Sequence, residues 1–324
     1  MTKISGLPAT YNGYKYGKIN GKYTVSTPGK TPPKTIFRYL KFNDYSVNGI
    51  LNSQVWASQP DTFNDIFDSS HSLIDVSKVE WGHIKQLYEP IEDAERLFNT
   101  DKGSFLRDFH FTFYQFMLSK MGVMCTTGSY CNELFWSYYN NHEGICLEYD
   151  FLNFPPNFMG PFPMNYVDED NFKKIDFSQY APYVSFLMLT NIKKSIWKHE
   201  DEYRFLIEPE KTGEFVTTGK YQNDDNPYPR SLRLVNIPQD SLKSITISFR
   251  LFNNGDIING FQEGHIISFN SHNSELKIKL FDFIIKNNIT VYSMEYHKET
   301  LKFNRRQLKI SPIDMGRYLI QIIA

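Results

Sequence analysis

The chain has 324 residues, 35 basic against 36 acidic, a formal net charge of −1 and an aromatic share of 16%, with 27 Phe and 21 Tyr. Near-neutral charge leaves no overall field to draw in nucleic acid or membrane, and so many large rings argue for a packed globule against a disordered chain. Three cysteines, Cys125, Cys131 and Cys146, are too few for a disulfide framework and lack the CxxC spacing of zinc sites. No run suits a signal peptide or a membrane span, so a soluble cytoplasmic protein is expected.

Residues 1–34 hold Lys3, Lys15, Lys18, Lys22, Lys30 and Lys34, no acid, and end in "TPGKTPPK". This composition predicts a basic, flexible or loosely docked arm. Tyr11, Tyr14, Tyr16 and Tyr23 interleave with the lysines. Such interleaving suits either single-stranded nucleic acid or a tail lying on its own domain.

A single α+β domain is expected over 35–324. "TIFRYL" predicts a strand, and Asn43 or Asp44 caps a helix carrying Val47, Ile50 and Leu51. "VWAS" is a short strand stopped by the turn chemistry of "QPDTFNDIF". A helical insertion covers about 78–121, with Pro90 inside its first piece. Its second piece, "FLRDFHFTFYQFMLSKMG", is apolar nearly all round and expected to be buried on several sides. "VMCTTGS" is a strand, and "NELFWSYYNNHEG" a helix closing on Gly144. "ICLEYDF" is a strand, and a long helix is expected over about 176–196. "EYRFLIEP", "SLRLVNIP", "LKSITISFR", "ITVYSMEY" and "RRQLKI" are strands, with a helix at "ELKIKLFDFIIKNN". The irregular mixture favours α+β with mixed or antiparallel split sheets over a doubly wound sheet.

GxGxxG, Walker A, HExxH and GxSxG motifs are absent, which removes support for dinucleotide folds, P-loop enzymes, zincins and α/β-hydrolases. Subtler candidates remain. Arg38 in "IFRYL" either snorkels to water or binds an anion through its planar guanidinium. Ser58 ends a strand, as a site residue or a turn cap. Trp136, Tyr138, Tyr139 and His142 concentrate in one segment, where core packing and a helix-end histidine are the plainer accounts. In "WKHEDEYRFLI", Glu200 and Glu202 are expected on one strand face about 7 Å apart, with Asp201 opposite. They are a solvated strand start with Arg204 as partner, or a pair in which one anion steadies an oxocarbenium and the other accepts a proton.

The segments "FRYLKF", "VWASQPDTFNDIFD", "LFWSYYNNHEGICLEYDF", "WKHEDEYRFLI", "SLKSITISFR" and "NNITVYSMEY" occur in that order. Together they resemble the bacterial family labelled domain of unknown function 2971, over about 35–310. The chain departs from the family's usual forms at Ile66, where proline is common, at Tyr138, where histidine is common, and at "CTTGS" in place of "CFS". An arginine on an early strand, a serine at a strand end and Glu-x-Glu on a later strand also resemble the R-S-E pattern of ADP-ribosyltransferases. That resemblance implies a split-sheet core that clamps NAD as substrate. Arg38 would grip a phosphate or ribose, and Ser58 would position the glutamate. Glu202 would bind the ribose hydroxyl and steady the oxocarbenium, and Glu200 would orient or deprotonate the acceptor. Tyr39, Trp56 or Phe63 would stack the nicotinamide. It implies no metal, a protein or nucleic-acid acceptor, and a toxin or phage-defence effector with an antitoxin or defence-system partner. Two other functions compete: a non-enzymatic nucleic-acid or protein binding module, and a metal-dependent nuclease using Glu148, Asp150, Glu200 and Glu202, which lacks a lysine at the usual place beside its carboxylates.

Overall fold

The computed structural model describes residues 7–20, 22–85, 93–208, 234–248, 250–252, 256–261, 264–269, 274–297, 299 and 302–323. Pro90 and the first three positions, 231–233, of the anticipated strand "SLRLVNIP" lie outside them, and Leu234–Asn236 of that segment is a strand. Helices and strands mix as an α+β protein, and the chain divides into two compact units: residues 1–32, 56–125 and 156–235, and residues 33–55, 126–155 and 236–324.

The first unit contains most of the helical insertion. Trp81–Lys85, Ala94–Thr100 and Lys102–Lys120 are helices. The last is started by Asp101, whose carboxylate accepts from the Ser104 N–H at 2.9 Å, a cap that satisfies one orphan donor. Leu106, Phe113, Tyr114 and Met117 enter the core, while Phe111 and Phe116 stay exposed, so this helix is buried on fewer sides than its composition suggests. Val123 of Gly122–Thr127 exchanges backbone bonds with Ser58. Gly122 permits that approach: a β-carbon there would sit 2.6 Å from the Ala57 side chain.

The anticipated helix over 176–196 is only Pro182–Leu189. Pro182 opens it, having no N–H to lose there, and the chain is extended again at Ile192–Lys194, parallel to Asn165–Val167. Strand Glu202–Ile207 runs antiparallel to Phe158–Pro163, with Arg204 opposite Phe162.

Where the sequence suggests a loose arm, Ala9–Tyr11, Tyr14–Ile19 and Lys22–Ser26 form an antiparallel meander. Its lysines face out, but Tyr11, Tyr16 and Val25 are buried in the first unit's core. Tyr14 donates to the Met164 carbonyl at 2.7 Å, and Tyr23 stacks on Tyr183 at 4.5 Å. Lysine-rich composition concealed an alternation that buries one tyrosine-bearing face.

In the second unit the strands lie in the order Ile257–Phe261, Gly264–Ser268, Arg317–Ile322, Lys302–Asp314, Thr290–His297, Leu242–Ile247, Ile145–Tyr149, Ile36–Leu40. Leu242–Ile247 and Thr290–His297 are parallel neighbours. Helix Asp44–Leu51, capped by the Asn43 side chain as expected, packs on helix Ser274–Lys286. No helix among the described residues is long and apolar enough to cross a membrane.

Candidate functional site

Glu200 and Glu202 do not share a strand pleat. Glu200 ends a short helical segment, Ser195–Glu200, and Glu202 begins the strand. Between them Asp201 is left-handed, with φ 43°, a conformation that aspartate tolerates better than most residues. The turn brings both glutamates inward onto one ammonium. All six residues of Glu202–Ile207 are buried, so hydrophobic alternation could not report which way the strand faces.

Lys193 Nζ donates to Glu200 Oε2 at 2.5 Å and to Glu202 Oε2 at 2.9 Å, and lies 3.8 Å from Asp68 Oδ2. Arg204 closes the other side. Its Nε donates to Glu202 Oε1 at 2.6 Å. Its two terminal nitrogens grip Asp68 in a fork, at 2.7 Å and 2.5 Å, the bidentate geometry that a planar guanidinium favours. The Thr190 carbonyl takes a further Arg204 bond at 2.9 Å. The Phe63 ring lies 4.8 Å from the guanidinium carbon and the Trp197 ring 5.3 Å from the ammonium, both within cation–π range. Tyr166 Oη accepts from the Glu202 N–H at 2.9 Å. None of the five charged residues is more than 6% exposed.

Burial alone would raise the Glu202 carboxyl, but the charges of Arg204 and Lys193 outweigh it and hold its pKa down at about 2. Burial would lower Lys193, and Glu202, Glu200 and Asp68 more than reverse this, so its ammonium titrates above the ordinary lysine range. Arg204 is likewise raised against burial, by Asp68 and Glu202. Burial pushes the neighbouring Cys125 thiol up, and the Glu202 charge adds to it. At neutral pH Glu202 and Lys193 are therefore fixed charges. Neither is poised to donate or take a proton, and Cys125 is not a ready nucleophile. Three carboxylates against two cations leave one formal negative charge.

A cavity of about 410 Å³ has Lys193 in its wall, with Phe67, Leu73, Phe172, Ile192 and Lys194. Its size is that of small-molecule sites. No family model, curated protein or solved structure matches the chain.

Of the residues singled out from sequence, Glu200, Glu202 and Phe63 meet in this cluster. Ser58 and Trp56 belong to the same unit, Ser58 held by its backbone pair with Val123 at 2.7 and 2.8 Å. Arg38 and Tyr39 belong to the second unit. Arg38 is half-buried opposite Leu147. Tyr39 donates to the Ser129 carbonyl and accepts from the Asn132 N–H, both at 3.1 Å, and packs against Phe135 and Trp136. Glu148 is bound by Arg305 at 3.0 Å and Ser244 at 2.7 Å, and Asp150 lies 3.4 Å from Lys243. Among the described residues no group of three or more His, Cys, Asp or Glu could hold a metal.

Sequence reasoning missed Asp68 and Lys193, and placed Arg204 only as a surface partner. A lysine seven residues before Glu200, directly after the apolar "SFLML" and "NI", was the available signal. Lys193 lies beside the carboxylate pair in space, although not next to it along the chain.

Proposed function

We propose that the chain is an NAD-consuming enzyme of the ADP-ribosyltransferase type, with Glu202 and Glu200 at its reacting centre. The observation that carries this is the convergence of both glutamates with Asp68, Lys193 and Arg204 in one buried cluster bordering a cavity. Burying ions costs several kcal/mol each, so roughly, before pairing, and such perturbed groups concentrate at functional sites. The excess anion suits a reaction in which positive charge develops. As the glycosidic C–N bond breaks, nicotinamide leaves with the electron pair and the ribose becomes an oxocarbenium. Glu202, ionised at neutral pH, is the fixed anion for that charge. Glu200 accepts the proton of the attacking acceptor. Lys193 and Arg204 hold the pair in register, and Lys194 and Lys174 on the cavity wall offer charge to the dinucleotide phosphates. The order of the Arg38, Ser58 and Glu202 segments supports the assignment.

In the basic N-terminal segment Tyr11 and Tyr16 are buried and Tyr14 and Tyr23 are engaged within the fold, so a non-enzymatic binding module would have to use other aromatic surface. The test is incubation of the whole chain with labelled NAD and cell extract, reading nicotinamide release and label transfer. Glu202→Gln is expected to lower the rate by about 10²–10³-fold, the usual loss on removing one electrostatic stabiliser. Arg38→Ala forms a separate arm. Absence of nicotinamide release from the wild type, or equal rates for a folded Glu202→Gln chain, would defeat the proposal.

A further inference from the structure

Asp201 stands apart from the cluster it helps to build. Its backbone is the left-handed turn between Glu200 and Glu202, but its own carboxylate faces outward, with 54% of the side chain exposed. A non-glycine residue holds such a conformation only where its surroundings fix it. The group that grips this carboxylate comes from the start of the chain: Lys30 Nζ lies 2.9 Å from Asp201 Oδ1.

Lys30 is itself seated. A backbone bond of 3.4 Å from its N–H to the Thr27 carbonyl closes a turn around Gly29 at φ 76°, a left-handed position that glycine takes without steric cost. The ammonium then lies 4.7 Å from the Tyr203 ring centre and 5.9 Å from that of Tyr166, within cation–π reach of both. Lys15, Lys18 and Lys22 of the meander are exposed, whereas the Lys30 side chain is only 23% so.

Both rings belong to the machinery that places Glu202. Tyr203 follows it in the strand. The Tyr166 hydroxyl accepts the Glu202 N–H at 2.9 Å, and Tyr166 lies opposite Lys193 in the parallel pair. The Met164 N–H donates to the Glu202 carbonyl at 3.1 Å, and the Met164 carbonyl accepts from Tyr14 of the meander. The N-terminal segment thus reaches the backbone around Glu202 by two routes, through Tyr14 and Met164 and through Lys30 and Asp201. A partly exposed ion pair adds little stability by itself. Here its leverage is geometric, because the turn at Asp201 sets the direction of the chain between the two glutamates.

We propose that the N-terminal segment is a clasp on this centre: Lys30, by holding Asp201, keeps the turn that aims Glu200 and Glu202 together at Lys193. Lys30 is a positioning residue and acts through Asp201. Its effect on rate rests on the transferase proposal; its effect on the geometry of the cluster does not.

Carbon-13 NMR titration of the glutamate carboxyls in the whole chain tests the clasp, with Glu202 assigned by comparison with Glu202→Gln. Asp201→Asn is the deciding variant. Asparagine tolerates the left-handed turn as aspartate does, so the charge that Lys30 grips is what is lost. Through space alone, removing a neighbouring anion would push the Glu202 carboxyl further down from about 2. Loss of the clasp moves it the other way, as the cations part from the carboxylate, and a rise of at least about one unit is expected. Lys30→Met should give a similar rise, the double variant no more than either single one, and Lys30→Arg, which keeps the charge, a smaller one. For nicotinamide release from NAD, Lys30→Met is expected to lower kcat at least about tenfold with KM little changed, the mark of a displaced reacting group, and Lys30→Arg to restore most of it. Should Lys30→Met not fold, Asp201→Asn, at an exposed position, carries the test. A wild type that releases no nicotinamide would defeat the transferase proposal and leave the carboxyl titration to decide the clasp. An unchanged or lowered Glu202 in Asp201→Asn, or shifts that simply add in the double variant, would overturn the clasp.

Discussion

Replacing Lys193 with methionine keeps the length of the side chain and removes its charge. In the native cluster its ammonium lies 2.5 Å from Glu200, 2.9 Å from Glu202 and 3.8 Å from Asp68. Without it, three carboxylates face Arg204 alone in a site closed to water. Breaking a buried ion pair by removing one partner costs about 3–5 kcal/mol, because the remaining charge stays buried and uncompensated. Contact with two carboxylates at hydrogen-bond distance places Lys193→Met toward the upper end, near 5 kcal/mol in order of magnitude. The loss should shrink in acid, since protonated carboxyls no longer need the cation. The assay is urea unfolding at pH 7 and pH 4, followed by fluorescence and circular dichroism so that separate transitions of the two units are recognised. Lys193→Met/Glu200→Gln should recover part of the loss, since the two side chains touch. A single Lys193→Met variant within about 1 kcal/mol of wild type at pH 7 would refute the cluster's electrostatic coupling.

Three further outcomes are expected. Glu202 titrates near 2 in the fold and near 4.3 in an unfolded chain; its contribution is present above pH about 4.3 and is lost as pH falls toward 2, so acid unfolding of Glu202→Gln should be flatter over that window. His110 is pushed down to about 4, by burial first and then by His71 and Lys174; an NMR titration should place its midpoint well below the ordinary imidazole value, and the stability it contributes as a neutral ring should fade as pH drops from about 6.5. Gly144→Ala forces a methyl group against the Leu40 carbonyl and Asn140; calorimetric melting should show a loss of about 1–3 kcal/mol, the usual cost of overpacking, whereas a neutral result would mean that the Asn140 segment moves freely.

Several features were legible in the residues because their physics is local. The Asn43 cap, the strand at "IFRYL" and the helix at "ELKIKLFDFIIK" follow from capping chemistry and periodicity, which act over a few positions. The pairing of Glu202 with Arg204 was likewise two residues away and visible. What stayed hidden depends on contacts far apart in sequence. Asp68 carried no signal of its own because Arg204, its partner, lies 136 positions later. Lys193 sat in a stretch that helical periodicity assigned to a helix, and only the halt at Thr190 and Asn191 turns it toward the glutamates. The N-terminal tyrosines could not be separated from a solvated arm, because the surface that buries them comes from residues such as Met164 and Tyr183.

The long separation between Asp68 and Arg204 also sets an order of events during synthesis. At about 5–20 residues per second, the aspartate leaves the ribosome many seconds before the guanidinium that will clasp it. Throughout that interval it keeps its hydration shell, and the N-terminal meander lacks the surface that its tyrosines will bury against. The nascent first unit must wait for residue 204 before its charged centre can shed water, so a pause or truncation upstream of that point leaves a polypeptide with its heart still wet.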